Sequence, residues 1–222
     1  MNIEDLQFIT PEITITIVAL IVLVFDLVVR GSRALIYIFV LGLLITLGIL
    51  ITLWLGLDCK ASYFAMPWMQ CSDDSLLSIN SKYLVVDKFS LLIKFILVGT
   101  TIFVGIISSE YFGKSFKLNG EYYSLLLFSV LGMMLLVSAT EMITMYVALE
   151  LSTLPLIALS AITRTKNGLE ASLKFVILSA VSSAFLLYGL VMLYGVTGTT
   201  DLTSINTVLY LQSSPNNLIL LA

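Results

Sequence analysis

The sequence predicts an all-α, polytopic membrane protein with about six transmembrane helices. Hydrophobic residues make up 59% of its 222 residues, charged residues only 11%, and the mean hydropathy is +1.07. Soluble domains carry charge on about a quarter of their residues, so this composition excludes the soluble class. The apolar residues also cluster in runs long enough to cross a bilayer, since about 20 helical residues span roughly 30 Å.

Composition also limits the partners that we expect. The chain has no His, which leaves nothing for a His-based metal site, and no basic patch for nucleic acid. The first residues lack the basic region of a cleaved signal peptide and the Arg-rich character of a transit peptide. We therefore expect the first apolar segment to be retained, in a bacterial inner membrane or in a membrane of the organelle that makes the protein.

The first three spans are predicted at residues 8–29, 34–57 and 88–110. Glu12 lies near the positive end of the first helix dipole, and Asp26 lies near the other end, where it can snorkel or pair with Arg30. The second span carries no charge and indicates packing alone. Lys94 lies about two turns inside the third span, and we interpret its long side chain as snorkelling outward.

The longest polar connection, residues 58–87, contains both cysteines, Cys59 and Cys71. They can form a disulfide if this loop faces an oxidising compartment, or they can remain two free thiols. Trp68 in the same loop is typical of a membrane interface.

Spans four to six are predicted at residues 121–139, 141–162 and 169–194, and residues 203–211 predict a short helix after them. Gly132 in the fourth span either allows close helix contact or is merely tolerated, and the sequence does not choose between these readings. Four small residues of the sixth span predict a narrow face for tight packing: Ala180, Ser182, Ser183 and Ala184.

Glu150 is the most informative residue of the sequence. It lies about 13 Å along the fifth helix from Glu141, close to the bilayer midplane, where a charge costs at least about 2.5–3.5 kcal/mol. Five residues later, Pro155 removes a backbone donor, and we expect a kink there. Glu150 is either a buried proton or cation site or an acid that ties neighbouring helices together by a hydrogen bond.

Lys174 is the second intramembrane charge near Glu150 in the sequence. The end of the fifth span and the start of the sixth lie at the same side of the membrane. Glu150 lies about 18 Å from that side and Lys174 about 8 Å. A direct ion pair is therefore not expected on simple geometry. The sequence leaves two readings of Lys174 open, a functional role and a snorkelling anchor.

The basic residues of the connections predict the orientation. Short loops that contain Lys or Arg alternate with short loops that lack them: 30–33, 111–120 and 163–168 are the basic ones. The long connection 58–87 is the exception, and its lysines are offset by four Asp. The positive-inside rule places these loops inside and the N-terminus outside, on the intermembrane-space or periplasmic side. Both cysteines then face outside.

The string YVALELSTLPL at residues 146–156 resembles the fifth helix of the antiporter-like subunits of respiratory complex I, NADH:ubiquinone oxidoreductase. Within that family it is most similar to subunit 2, called NuoN in bacteria. Four further segments resemble the same family in the right order: FITPEI near the start, SSEYF at 108–112, GEYYSLLLFSVLGMMLLVSA at 120–139 and EASLKFVILSAVSSAFLLYG at 170–189.

The resemblance implies a proton-translocating membrane subunit with no redox site of its own. It matches Glu150 to a fifth-helix glutamate that pairs with a lysine on a broken seventh helix, and Lys174 to a sixth-helix lysine of the same proton half-channel. It implies flavin mononucleotide and iron–sulfur clusters in partner subunits, and a mitochondrial or bacterial inner membrane. It divides the chain into a three-helix segment, 1–118, and the first part of an antiporter-like unit, 119–222.

The seventh-helix lysine, the eighth helix and the second unit of that family have no counterpart in these 222 residues. We therefore expect the remaining helices on a second polypeptide or on sequence beyond this one, beside other membrane-arm subunits and lipid. Two other hypotheses stay open. One is a subunit of a multi-subunit cation/proton antiporter, and the other is a structural membrane scaffold in which Glu150 only holds helices together.

Overall fold

The computed structural model describes residues 9–28, 34–57, 79–80, 84–112, 119–162 and 164–211. Seven helices run through these residues: α1 (Thr10–Val28), α2 (Ala34–Leu57), α3 (Lys88–Phe112), α4 (Asn119–Ser138), α5 (Met142–Ala161), α6 (Lys166–Thr197) and α7 (Leu202–Leu211). The first six are long and apolar enough to cross a membrane. This confirms the predicted fold class, and α7 confirms the short helix expected after the last span.

Helices α1 to α4 form a four-helix bundle that contains most of the hydrophobic core. α1 packs against α2 and α4, and α3 packs against the same two helices, so α1 and α3 stand diagonally opposite each other. The core consists of inward-facing aliphatic and aromatic side chains from these helices: among the fully buried ones are Ile15, Val22, Phe39, Leu43, Val98, Leu127 and Met134.

Glycines allow these helices to approach closely. A Cβ added at Gly42 would lie 2.4 Å from Val18 on α1, and one added at Gly105 would lie 2.2 Å from the ring of Phe39 on α2. Small residues are the usual means of close helix contact in membranes, where burial of apolar surface gives no driving force between helices.

A short antiparallel pair of strands precedes α3, within the region that the sequence predicts only as a polar connection. β1 (Ile79–Asn80) pairs antiparallel with β2 (Val85–Val86). The next residue, Asp87, caps α3, because its Oδ1 accepts from Ser90 N at 2.7 Å while its own N–H donates to Ser90 Oγ at 3.0 Å. Leu84 also forms a β-bridge with Ala139, which joins the start of α3 to the α4–α5 junction.

Helices α5 and α6 extend the bundle sideways. α5 packs on α4, and α6 packs on α5. Thr165 caps the start of α6 by accepting from Gly168 N at 3.1 Å, and Gly198 ends it in the left-handed conformation with φ 69°. Of all α6 side chains described, only Ser172 is buried, so most of this helix faces outward from the chain.

The interpretation of Lys94 as a snorkelling side chain is wrong. Lys94 is fully buried, and its Nζ lies 2.6 Å from Glu12 Oε1 on α1. Helical side chains lean toward the helix N-terminus, so the long stem of Lys94 carries its ammonium group back toward the first turn of α1. The charge is therefore neutralised inside the bundle rather than at the membrane surface.

Asp26 packs against the start of α4, where a Cβ added at Gly120 would lie 2.2 Å from Asp26 Cβ. Its Oδ1 is buried and lacks a hydrogen-bond partner among the described residues. Its expected partner Arg30 lies outside those residues, as do Cys59 and Cys71, so the Arg30 pairing and the disulfide stay predictions.

Candidate functional site

The Glu150 carboxyl group lies near the middle of α5. It follows Met142 by eight residues, which places it about 12 Å along the helix axis. Its side chain is partly buried, between α5 and α6. The position agrees with the depth that the sequence indicated.

A single hydroxyl from the neighbouring helix contacts this carboxylate. Ser183 Oγ on α6 donates a hydrogen bond to Glu150 Oε1. The sequence predicts Ser183 only as part of a small packing face, so this contact is a role that the sequence pattern did not reveal. Of the four residues of that face, Ser183 is half-buried against α5, and Ala180, Ser182 and Ala184 are exposed in this chain. The sequence shows serines and an intramembrane acid on consecutive helices. Only the register of α6 against α5 shows which serine meets the acid.

Glu150 opens into a cleft of about 320 Å³ between α5 and α6. Its lining combines apolar side chains with several hydroxyl groups, those of Tyr146, Thr153, Ser179, Ser182 and Ser183. Hydroxyl groups both donate and accept hydrogen bonds, so this lining can support water molecules beside the carboxylate.

α5 is fixed from the other side at the turn that follows Glu150. A Cβ added at Gly132 on α4 would lie 2.4 Å from Ser152 N and 2.8 Å from the Leu151 carbonyl carbon. Ser129 Oγ donates to the Ser152 carbonyl at 2.9 Å. Gly132 therefore serves close helix contact, which settles the choice that the sequence left open.

Pro155 is buried inside α5, which is helical throughout Met142–Ala161. Proline has no N–H, so the Leu151 carbonyl lacks its usual helical donor. The α4 contact at Leu151 and Ser152 lies at this same turn. The kink expected at Pro155 stays a prediction.

The structure does not bring Lys174 to Glu150. Lys174 Nζ lies 2.6 Å from Glu170 Oε1 on the same helix, and the two side chains are 75% and 66% exposed. Ser183, which contacts Glu150, is nine residues farther along α6, or about 13 Å along its axis. This separation agrees with the estimate from the sequence, and the role of Lys174 stays a prediction.

The start of α5 is tied to the connection between α6 and α7. Glu141 and Asp201 face each other in an antiparallel β-bridge, and Met142 N donates to the Thr200 carbonyl at 3.0 Å. Glu141 Oε1 accepts from Thr200 Oγ1 at 2.7 Å, and its Oε2 accepts from Thr144 at 3.2 Å. These bonds fix the end of the helix that carries Glu150.

Asp201 caps the start of α7. Its Oδ2 accepts from Ser204 Oγ at 2.6 Å, from Thr203 Oγ1 at 2.5 Å and from Ser204 N at 2.9 Å. Hydrogen bonds from Ser204 and Thr203 stabilise the ionised form and lower the pKa of Asp201 to about 2. Asp201 therefore stays a carboxylate at any physiological pH.

Comparison with known proteins agrees with this architecture. Residues 139–222 match the family described as "NADH:quinone oxidoreductase/Mrp antiporter, TM". The chain is 36% identical over 221 residues to NADH-quinone oxidoreductase subunit N of Methylovorus glucosotrophus, an alignment that covers 98% of this chain and 42% of that protein. It is 32% identical over 205 residues to subunit N 2 of Koribacter versatilis, covering 90% and 39%.

Solved structures give the same result for the fold. A chain of respiratory complex I from Thermus thermophilus with bound aureothin matches with a TM-score of 0.65 and 26% identity, over 95% of this chain and 42% of that one. A chain of the membrane-bound sulfane sulfur reductase, an archaeal respiratory membrane complex, matches with a TM-score of 0.69 at 17% identity, over 98% and 41%, and shows the fold alone.

The chain spans about two-fifths of the length of the first relatives that it matches. The matched family segment begins at residue 139, at the junction before α5, and includes the whole Glu150 cleft. Over this segment the chain matches the NADH:quinone oxidoreductase/Mrp antiporter membrane family, and over nearly its whole length it is similar to subunit N.

Proposed function

We propose that this chain is part of a membrane-arm subunit of a proton-pumping NADH:ubiquinone oxidoreductase. In this proposal it contributes part of a proton half-channel, with Glu150 as the group that takes up and releases the proton. The observation that carries the proposal is Glu150 itself, a mid-membrane acid at the edge of a hydroxyl-lined cleft, in the segment that matches the family. An intramembrane carboxylate with access to polar groups is the usual form of a proton relay site.

The proton step follows from the chemistry of the cleft. Water held by the hydroxyl lining delivers a proton to Glu150, and the neutral acid then needs no charge partner in the membrane. A nearby ammonium group favours the ionised form again and drives the release of that proton. Within the described residues no lysine contacts Glu150. We propose that this lysine comes from the seventh transmembrane helix of the subunit, which is a different helix from the short α7. That transmembrane helix would lie on a second polypeptide or on sequence beyond residue 222.

Lys174 has a second place in the proposed path. Its exposed ammonium group pairs with Glu170 about 13 Å along α6 from the level of Glu150, on the side of the membrane where α6 begins. A basic group at this depth can accept a proton from water and pass it toward the cleft. We also propose that the chain divides between residues 118 and 119 into a three-helix segment and the first part of an antiporter-like unit. α4, the first helix of that unit, packs against both α1 and α5.

The proposal assigns the redox chemistry to other subunits. Flavin mononucleotide and the iron–sulfur clusters lie in partner subunits, and this chain contacts membrane-arm neighbours and lipid. The N-terminus faces the intermembrane space or the periplasm, which agrees with the positive-inside rule. Glu12 with Lys94 and Leu84 with Ala139 place the starts of α1, α3 and α5 on one side, as that alternation requires.

A second candidate is a subunit of a cation/proton antiporter, because the description of the matched family names both classes. The mass spectrum of the intact purified membrane complex that contains this chain separates the two. The main proposal predicts flavin- and iron–sulfur-carrying subunits in the same particle, together with the seventh-helix lysine on this or another polypeptide. Antiporter-like partners without any redox subunit would replace it by the antiporter.

A further inference from the structure

A buried charge pair lies in the core of the four-helix bundle, away from the Glu150 cleft. Glu12 is 4% exposed and Lys94 is fully buried, and Lys94 Nζ lies 2.6 Å from Glu12 Oε1. The two residues come from α1 and α3, the diagonal helices, so the contact crosses the centre of the bundle. No other described ion pair has this burial, since Glu170 and Lys174 are mostly exposed.

The hydrogen bonding of this pair is incomplete. Glu12 Oε2 is buried and has no hydrogen-bond partner in the described part of the chain, and Lys94 Nζ has none beyond its contact with the carboxylate. An ammonium group has three protons and a carboxylate has two oxygens, so one contact leaves both groups unsatisfied. Buried polar atoms in this state destabilise the folded chain, and they do so more strongly when they are charged.

A water molecule matches the groups that are left over. It would accept a hydrogen bond from Lys94 Nζ and donate one to Glu12 Oε2, and buried waters usually have two to four such partners. A second cation does not match, because Lys94 already neutralises the carboxylate. The first turn of α1 adds its own positive dipole beside Glu12, which further opposes a cation there.

A buried ion pair can also fix the position of one helix against another, which apolar packing cannot do in a membrane. Lipid chains are as apolar as the helix surfaces, so burial of Leu or Ile does little to fix one helix against another. A polar contact is different, because sliding either helix would leave a charge alone in hydrocarbon. One buried polar contact of this kind is a known means of fixing register in helical bundles.

We propose that Glu12 and Lys94 form a second internal site of this chain, which binds a water molecule and fixes the register of α1 against α3. The site belongs to the α1–α4 bundle and is separate from the proposed proton path. It acts at the end of the bundle where Leu84 joins Ala139 and where α5 begins.

The test measures the temperature at which half of this chain is lost from the purified membrane complex. Glu12→Gln and Lys94→Met each remove one charge and leave its partner buried, and we expect each to lower this temperature by roughly 10 °C. The double variant Glu12→Leu/Lys94→Met replaces the pair by apolar groups of similar size. We expect it to remain within about 3 °C of the parent.

Thr101→Val is the matched control, because Thr101 is buried one heptad after Lys94 on α3 and its hydroxyl donates to the Leu97 carbonyl of its own helix. We expect little change from it. Single variants as stable as the parent, or a double variant that loses the sum of both single effects, would overturn the register role. Where the single variants do not assemble, recovery of assembly by the double variant supports the proposal, and failure of the double variant contradicts it.

The bound water is tested separately, on the unmodified complex. A density map that resolves ordered water should show a peak within hydrogen-bond distance of both Glu12 Oε2 and Lys94 Nζ. A map that resolves other internal waters but leaves this position empty would remove the water from the proposal.

Discussion

At the scale of single residues, the orientation of the Glu150 carboxylate depends on the hydroxyl of Ser183. This hydroxyl donates to Glu150 Oε1 from the facing helix and sets the direction of the carboxylate within the cleft. A hydrogen bond to a charged group contributes about 1.5–3 kcal/mol, which corresponds to roughly a tenfold or larger change in an equilibrium or a rate.

We therefore expect Ser183→Ala to reduce NADH-driven proton uptake about tenfold in vesicles that contain the assembled complex. Ser183→Thr keeps the hydroxyl and should restore most of the uptake. Ser182→Ala is the matched control, because Ser182 lines the same cleft and forms no hydrogen bond with Glu150 in the described structure. Equal effects of the two alanine variants would show that Ser183 does not position Glu150.

At the scale of helices, α5 is held by its close approach to α4. The Gly132 position has no room for a side chain, since the obstacle is the α5 backbone at Leu151 and Ser152 rather than a movable side chain. Because that contact lies next to Glu150, it links the packing of α4 directly to the geometry of the cleft.

We expect Gly132→Ala to destabilise the folded chain by about 1–3 kcal/mol, because α4 and α5 must separate to admit the methyl group. The loss should appear as a lower midpoint in thermal unfolding of the purified complex. Gly99→Ala on α3 is the control, since nothing lies within 4 Å of a Cβ there and alanine favours the helix. Unfolding of both variants at the parent temperature would exclude the close contact.

The short helix α7 depends on its cap at Asp201. The pKa of this carboxyl is about 2 in the folded chain against 3.8 ordinarily, so its contribution to stability is present above about pH 4 and is lost as the pH falls through about 2. At neutral pH, Asp201→Ala should raise hydrogen exchange of the α7 amides, while the α3 amides keep their protection. Unchanged exchange in α7 would show that the cap does not hold this helix.

At the scale of the whole molecule, a compact four-helix bundle supports a two-helix extension that carries the candidate site. The outer face of α6 is apolar and exposed along the helix, with Ile177, Val181 and Val191 among its exposed side chains. In a membrane such a face contacts lipid or other helices, so exposure here does not conflict with stability. The proposed function requires a further helix at the Glu150 cleft, because the lysine that pairs with Glu150 must reach it there.

The sequence was sufficient to predict the helices and the position of Glu150 near the middle of α5, and insufficient to predict the contacts between helices. Hydropathy and length predict each span because a bilayer imposes both. The Glu12–Lys94 pair was missed because its residues lie 82 positions apart and on helices that are not neighbours in sequence. Ser183 was missed for a different reason: α5 and α6 are consecutive, but the rotation of α6 against α5 decides whether a serine packs or donates.

The sequence nevertheless contains an indication of the Glu12–Lys94 pair. Glu12 and Lys94 lie near the starts of the first and third spans, which enter the membrane from the same side. Two opposite charges at similar depth in one small bundle are expected to find each other, because the alternative is a separate cost for each. The depth of each intramembrane charge and the side of the membrane nearest to it therefore predict the Glu12–Lys94 contact, as they predict the separation of Glu150 and Lys174.

The central claim is that Glu150 carries protons, and Glu150→Gln tests it most directly because glutamine keeps the size and hydrogen bonding of the side chain without the charge. The measurement is proton uptake per NADH oxidised, in sealed vesicles that contain the assembled complex, with Glu121→Gln as the control for an exposed acid at the start of α4. We expect uptake to fall to background in Glu150→Gln and to stay at the parent value in Glu121→Gln. Parent-level uptake in an assembled Glu150→Gln complex would contradict the relay and leave Glu150 as an acid that only holds α5 against α6.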